Sequence, residues 1–335
     1  MELTKKKVFN EFGSDAIADK QMIGGNSTGI MNLNSVKFKW ASGHINLMQN
    51  NFWLPQKVSL VEDKVTIKEL TSDEMEAFKN TLSFLIALDS MQVANLPVLA
   101  DYITAPEISG LFTVQAYQEL VHSQSYQYIL QELFPNMDRE EIYNYWRTNP
   151  LLLERNKLIA NLYEEFIANP TEKSFKKAIA ADFVLEAIYF YQGFNYFYQL
   201  QSRNKVVDTA KIIKYIENDE VTHVTFFANI IKEIFDEDDK KMLREVIIQA
   251  AEQEIEWGHA VYGNNILGIS KQSTEEYIKW LANQRAKVVG VGIVFKGFTI
   301  NPYAYLDQTK RENFFEVGAV TEYSQSTAVV GWDDF

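Results

Sequence analysis

Residues 82–96 read LSFLIALDSMQVANL and carry a single charge, that of Asp89. A segment this apolar has no face suited to water. It reads as a helix buried nearly all round, with one carboxylate pointing into the protein. Upstream, Thr71 followed three residues later by Glu74 has the spacing of a capping box, which predicts a helix from about 72 that Pro97 kinks or ends near 100. The pattern recurs twice: Glu119 is the only Asp, Glu, Lys or Arg between Glu107 and Glu132, and Glu186 is the only one between Asp182 and Arg203.

Working outward, apolar periodicity predicts further helices over roughly 105–134, 152–168, 172–202, 207–235, 238–266 and 272–288. Six of the seven prolines (Pro55, Pro106, Pro135, Pro150, Pro170 and Pro302) fall where that periodicity breaks. Short β-prone runs such as 65–67 read as peripheral. From Gly290 the chain turns to loops, and beyond Phe315 helical periodicity is absent. The chain is therefore read as a helical domain over 1–315 and a flexible tail over 316–335. Helices of this length exceed the usual soluble average of about 11–12 residues, which predicts an all-α bundle with its core built along the helices.

Composition narrows the chemistry. With no cysteine, redox work must run through metals, aromatic side chains or a bound cofactor. A net charge of −13 opposes a phosphate-tracking surface, so no nucleic-acid partner is expected. The N-terminal MELTKKKVFNEF lacks the apolar stretch of a secretory signal, and no uncharged membrane-flanked span follows; a cytoplasmic protein without a membrane is expected.

The lone carboxylates demand a cation. An unpaired buried carboxylate costs several kcal/mol even after relaxation, and these three stretches hold no Lys or Arg. The chain has four histidines, His44, His122, His223 and His259, and two of them close Glu-x-x-His motifs in candidate positions: Glu119-Leu-Val-His122 and Glu220-Val-Thr-His223. Residues i and i+3 share a helix face, so each motif offers a carboxylate and an imidazole to one point. Asp89 and Glu186 add one carboxylate each from two other helices. Four carboxylates and two imidazoles suit two divalent metals with bridging carboxylates, and the charges nearly cancel. This is the donor pattern of ferritin-like dimetal proteins. A single Glu-x-x-His is more often a solvated helix face; Glu256-Trp-Gly-His259, beside Glu252 and Glu254, reads as that. Without thiolates, the set favours iron or manganese and oxygen activation. Tyr126, at i+4 from His122, shares its face, and Phe190, Phe194 and Ile216 fall on registers that would wall the same pocket.

The residues LDSMQ around Asp89, ELVHSQSY from Glu119 to Tyr126, LEAIYFY from Glu186 and NDEVTH ending at His223 resemble, in order, the motifs of the small (beta) subunits of class I ribonucleotide reductase. The resemblance covers about 35–335. It implies that Asp89, Glu119, His122, Glu186, Glu220 and His223 bind two iron ions, with two manganese ions or a manganese/iron pair as alternatives, and that Tyr126 carries a stable tyrosyl radical. It implies a radical route through Trp53, Asp219 and, in the tail, Tyr323, with the terminal GWDDF docking on a large (alpha) subunit. That subunit would hold the nucleotide and the cysteines this chain lacks, with thioredoxin or glutaredoxin acting on it. A homodimer is also implied. Gln115 departs from relatives that carry tryptophan there, leaving the subclass open. A diiron monooxygenase, desaturase or oxidase, and a ferritin-like iron store, are the competing readings of the same donor set.

Overall fold

The computed structural model describes residues 1–306. Eleven α-helices run through them: α1 (Trp40–Asn50), α2 (Asp63–Thr66), α3 (Ser72–Ala100), α4 (Pro106–Leu133), α5 (Asn136–Thr148), α6 (Pro150–Ala168), α7 (Glu172–Val184), α8 (Tyr191–Gln201), α9 (Val207–Ile234), α10 (Glu237–Val261) and α11 (Lys271–Val288). Among the described residues β structure is limited to two isolated bridges, Glu2 with Thr171 and Ile23 with Ile103.

The helix starts follow local chemistry. The Thr71 hydroxyl accepts from the Glu74 amide at 3.2 Å, and the Glu74 carboxylate accepts from the Thr71 amide at 2.9 Å. Asp236 and Ser270 open α10 and α11 with equivalent boxes, while Pro106 and Pro150 stand at the first turns of α4 and α6. Pro97 lies in the last turn of α3, which continues to Ala100. The start of α9 is different. Val206 is left-handed (φ 44°), and the donors of that helix end are satisfied from far away by the buried Asp63, whose carboxylate accepts from the Asp208 amide at 3.1 Å and the Thr209 amide at 2.6 Å.

Three expectations are corrected. Residues 65–67 are not strand-like: they form the end of α2 and a 3-10 turn, Ile67–Glu69, because the chain must coil there to hold Asp63 against α9. Two further helices, α1 and α5, fall in short stretches of 11 and 13 residues outside the expected helices; α5 buries only Ile142. The segment expected as one helix over 172–202 is broken between α7 and α8 by a π-helical turn, Leu185–Tyr189, that contains Glu186.

α3 packs along α4 and α8 along α9, with α4 and α9 in contact across the bundle. Asp89, Glu119, His122, Glu186, Glu220 and His223 are all fully buried between them. Among the described residues one helix, Ser72–Ala100, is long and apolar enough to cross a membrane, but it is largely buried in the bundle and has Asp89 near its middle. The expected tail 316–335, with Tyr323 and GWDDF, lies outside the described residues.

Candidate metal centre

The four helices bring the six side chains to one point. Asp89 comes from α3, Glu119 and His122 from α4, Glu186 from the π turn, and Glu220 and His223 from α9. A π turn adds a residue to the helical circuit and shifts the side chains that follow it; such turns recur at functional sites. The donors fall into two overlapping groups, each within 4.8 Å: Asp89, Glu119, His122 and Glu220, and Glu119, Glu186, Glu220 and His223.

Glu119 and Glu220 belong to both groups, and each divides its oxygens between the two imidazoles. Glu119 Oε2 lies 3.3 Å from His122 Nδ1 and its Oε1 lies 3.1 Å from His223 Nδ1. Glu220 Oε1 lies 3.1 Å from His122 Nδ1 and its Oε2 lies 2.9 Å from His223 Nδ1. Asp89 completes the first group, 3.7 Å from His122 Nδ1, and Glu186 completes the second, 3.4 Å from His223 Nδ1.

The outward edges of the two rings fix their tautomers. His122 Nε2–H donates to Asp219 Oδ2 at 3.1 Å, and His223 Nε2–H donates to Gln118 Oε1 at 3.0 Å. Each ring, when neutral, therefore turns a bare Nδ1 inward, as a metal-ligating histidine does. Trp53 Nε1–H donates to Asp219 Oδ2 at 2.8 Å, and its ring stacks on His122 with centroids 6.2 Å apart. Gln118 Nε2–H donates to Asp219 Oδ1 at 3.0 Å, tying the two histidine partners together.

Electrostatics alone cannot hold this cluster together with every carboxylate charged. Burial and the neighbouring Glu119 push Asp89 well above the usual carboxylate range, and burial with Glu119 and Glu220 does the same to Glu186. Burial also disfavours a charged His122, but the carboxylates of Asp219, Glu119 and Glu220 outweigh it and raise the ring well above its ordinary value. Left to itself the cluster must retain protons. Both oxygens of Asp89, Oε2 of Glu119 and of Glu186, Oε1 of Glu220 and Nδ1 of His122 are buried without a hydrogen-bond partner. Buried polar atoms are rarely orphaned, and here six orphans converge on one point, all of them hard or borderline metal donors. The residues fit a pair of divalent cations with carboxylate and imidazole ligands.

The family described as "Ribonucleotide reductase, small chain" matches residues 30–302. The chain belongs to that family. This small chain is 37% identical to the ribonucleoside-diphosphate reductase subunit beta of Treponema pallidum, over 98% of this chain and 97% of the relative. It is 34% identical to that of Halalkalibacterium halodurans, over 99% of both. The solved structure of the ribonucleotide reductase R2 subunit from Clostridium botulinum superposes with a TM-score of 0.88 at 41% identity, covering 92% of this chain and 99% of that one. The small chain is thus a ferritin-like class I subunit with a dimetal site, the radical-generating part of an oxidoreductase that works with a large subunit.

Tyr126 is fully buried with the Asp89 carboxylate beside it, and Phe190, Phe194 and Ile216 are buried too, the two phenylalanine rings stacked 5.8 Å apart. His259 lies apart from the centre, its ring Nε2–H donating to the Lys271 carbonyl at 2.9 Å. Sequence reading missed Gln118 and Gln92, and noted Gln115 only as a departure from relatives. Gln118, Gln92 and Gln115 contact Asp219, Glu186 and Glu119, and the signal available was their polarity within otherwise apolar helices.

Proposed function

We propose that Asp89, Glu119, His122, Glu186, Glu220 and His223 hold two iron ions, and that the oxidising equivalents generated there from oxygen convert Tyr126 into a stable tyrosyl radical. The observation that carries this reading is the division of the Glu119 and Glu220 oxygens between two imidazoles, with a terminal carboxylate left on each side. Bound metals supply the oxidation; the chain's own residues decide where it goes. Burial and Asp89 hold the Tyr126 phenol protonated far above its ordinary range, so its oxidation removes a proton together with the electron. Phe190, Phe194 and Ile216, all buried, are read as the wall of the radical pocket; their side chains offer no proton and would exclude water.

His122, Asp219 and Trp53 form the stretch of hydrogen bonds that carries the oxidising equivalent away from the centre, and Tyr323 carries it onward from the tail. Residues 1–315 act as the dimetal domain, and 316–335 docks on the large subunit, where the ribonucleoside diphosphate is reduced and thioredoxin or glutaredoxin restores the dithiol. The family's usual homodimer and a cytoplasmic setting complete the reading. Iron is favoured over a manganese/iron pair because Tyr126 is retained, and over two manganese ions because the tail carries Glu322-Tyr323.

Adding ferrous iron and oxygen to the metal-free chain should produce the electron-spin signal of a tyrosyl radical, and Tyr126→Phe should abolish it. A signal that survives in that variant overturns the assignment of the radical to Tyr126, whereas no signal in the parent favours a monooxygenase or oxidase. Deleting 316–335 should leave the signal intact while turnover with the large subunit disappears; undiminished turnover would remove the tail from the mechanism.

A further inference from the structure

Glu186 is held from behind. Its Oε1 accepts from Gln115 Nε2 at 2.9 Å and from Gln92 Nε2, leaving Oε2 without a partner and aimed toward His223. Gln92 cannot be turned over, because its amide oxygen would then face a carboxylate oxygen. Its oxygen must point the other way, where it accepts from the Tyr163 hydroxyl at 2.9 Å. That same hydroxyl lies 2.5 Å from Asp182 Oδ1. A phenol has one proton, so two acceptors compete for it unless Asp182 brings a proton of its own.

The surroundings of Asp182 favour that proton. The side chain is fully buried; Oδ2 has no partner, Oδ1 accepts from the Asn95 amide at 3.2 Å besides meeting Tyr163, the neutral Gln92 amide lies close by, and no Lys, Arg or His pairs with it among the described residues. An ionised carboxylate enclosed in this way is strongly disfavoured. Burial accordingly pushes Asp182 well above the usual carboxylate range, against the hydrogen bonds from Tyr163, Asn95 and Gln92.

We propose that Asp182 is a protonated carboxylic acid donating to Tyr163, so that Asp182, Tyr163 and Gln92 form a one-directional hydrogen-bond chain fixing which oxygen Glu186 presents to the cation at Glu119, Glu186, Glu220 and His223. Asp182 and Tyr163 are positioning residues: neither touches a metal, and both act through Gln92. The inference rests on the reading of Glu186 as a ligand. Outer partners of metal ligands commonly change metal affinity by about 10–100-fold.

The full chain, freed of metal and titrated with manganese(II) while free manganese is followed by its electron-spin signal, tests the chain of bonds directly. Glu186→Ala should lose one of two binding events; two undiminished events would sink the ligand assignment itself. Given that loss, Tyr163→Phe should weaken one event by about 10-fold or more, whereas Asp182→Asn should stay within a few-fold of the parent. Asparagine can still donate N–H to Tyr163, and Asn95, whose Oδ1 has no partner, can turn to accept the second N–H. An infrared difference spectrum of the parent minus Asp182→Asn should show the carbonyl stretch of a protonated acid. Unchanged affinity in Tyr163→Phe overturns the positioning role; absence of that stretch, or a large loss in Asp182→Asn, overturns the proton.

Discussion

The two imidazoles of the centre turn the same nitrogen inward, yet what stands behind them differs. Behind His122 is Asp219, a buried carboxylate that also accepts from Trp53 and Gln118. Behind His223 is only the amide oxygen of Gln118. A carboxylate makes its imidazole more basic and supplies a charged link in a hydrogen-bonded line; an amide fixes the tautomer and does little else. The Glu186 side is likewise lined by amides, those of Gln92 and Gln115. One face of the centre is thus coupled to an aromatic ring, and the other is insulated by neutral groups.

Replacing Asp219 should have the larger effect. Asp219→Asn keeps the shape and removes the charge behind His122; turnover with the large subunit should fall by about 10–100-fold, while the Tyr126 radical still forms on adding iron and oxygen. If the radical itself is lost, Asp219 serves metal binding rather than export. Gln118→Leu should do less: a loss of about 10-fold in affinity for one ion, with turnover per radical nearly unchanged because the line from His122 to Trp53 stays intact. Equal effects of the two substitutions on turnover per radical would erase the distinction between the faces.

The parts of the centre legible in the sequence were those that broke a local rule. Asp89, Glu119 and Glu186 stand out because a charge in an apolar helix needs a partner, and the i, i+3 spacing then selects His122 and His223. The same spacing in Glu256 and His259 leads nowhere, since that helix has a hydrated side and His259 is occupied at the start of α11. The outer layer was harder to read. Gln118, Gln92 and Asp182 are ordinary polar residues whose importance comes from hydrogen bonds spanning 19 to 105 positions of sequence. The π turn at Glu186 left no trace, because a single extra residue in the circuit hardly disturbs a run that is apolar on every side. α1 and α5 escaped because they are short, 11 and 13 residues, and bury few side chains, and 65–67 because tertiary demand on Asp63 overrides the preference of its β-branched neighbours.

A third buried imidazole sharpens the contrast with the smallest effect. His44 Nε2–H donates to the Thr222 carbonyl at 2.9 Å, its ring stacks on Phe226, and among the described residues no carboxylate hydrogen-bonds to it. Burial therefore wins where it lost at His122 and pulls His44 down from 6.5 to about 4. Between those values the unfolded chain binds the proton and the folded chain does not, so stability rises with pH across the window and is lost on acidification. His44→Gln, which can keep a donor to Thr222, should remove that slope. Relative to the parent, the variant's urea unfolding free energy should gain about 2 kcal/mol on going from roughly pH 6.5 to 4.5. Comparing parent with variant cancels the titration of the metal ligands, which both share. Parallel pH profiles would mean that His44 titrates normally, and that burial without a carboxylate partner is too weak to separate it from the two histidines of the centre.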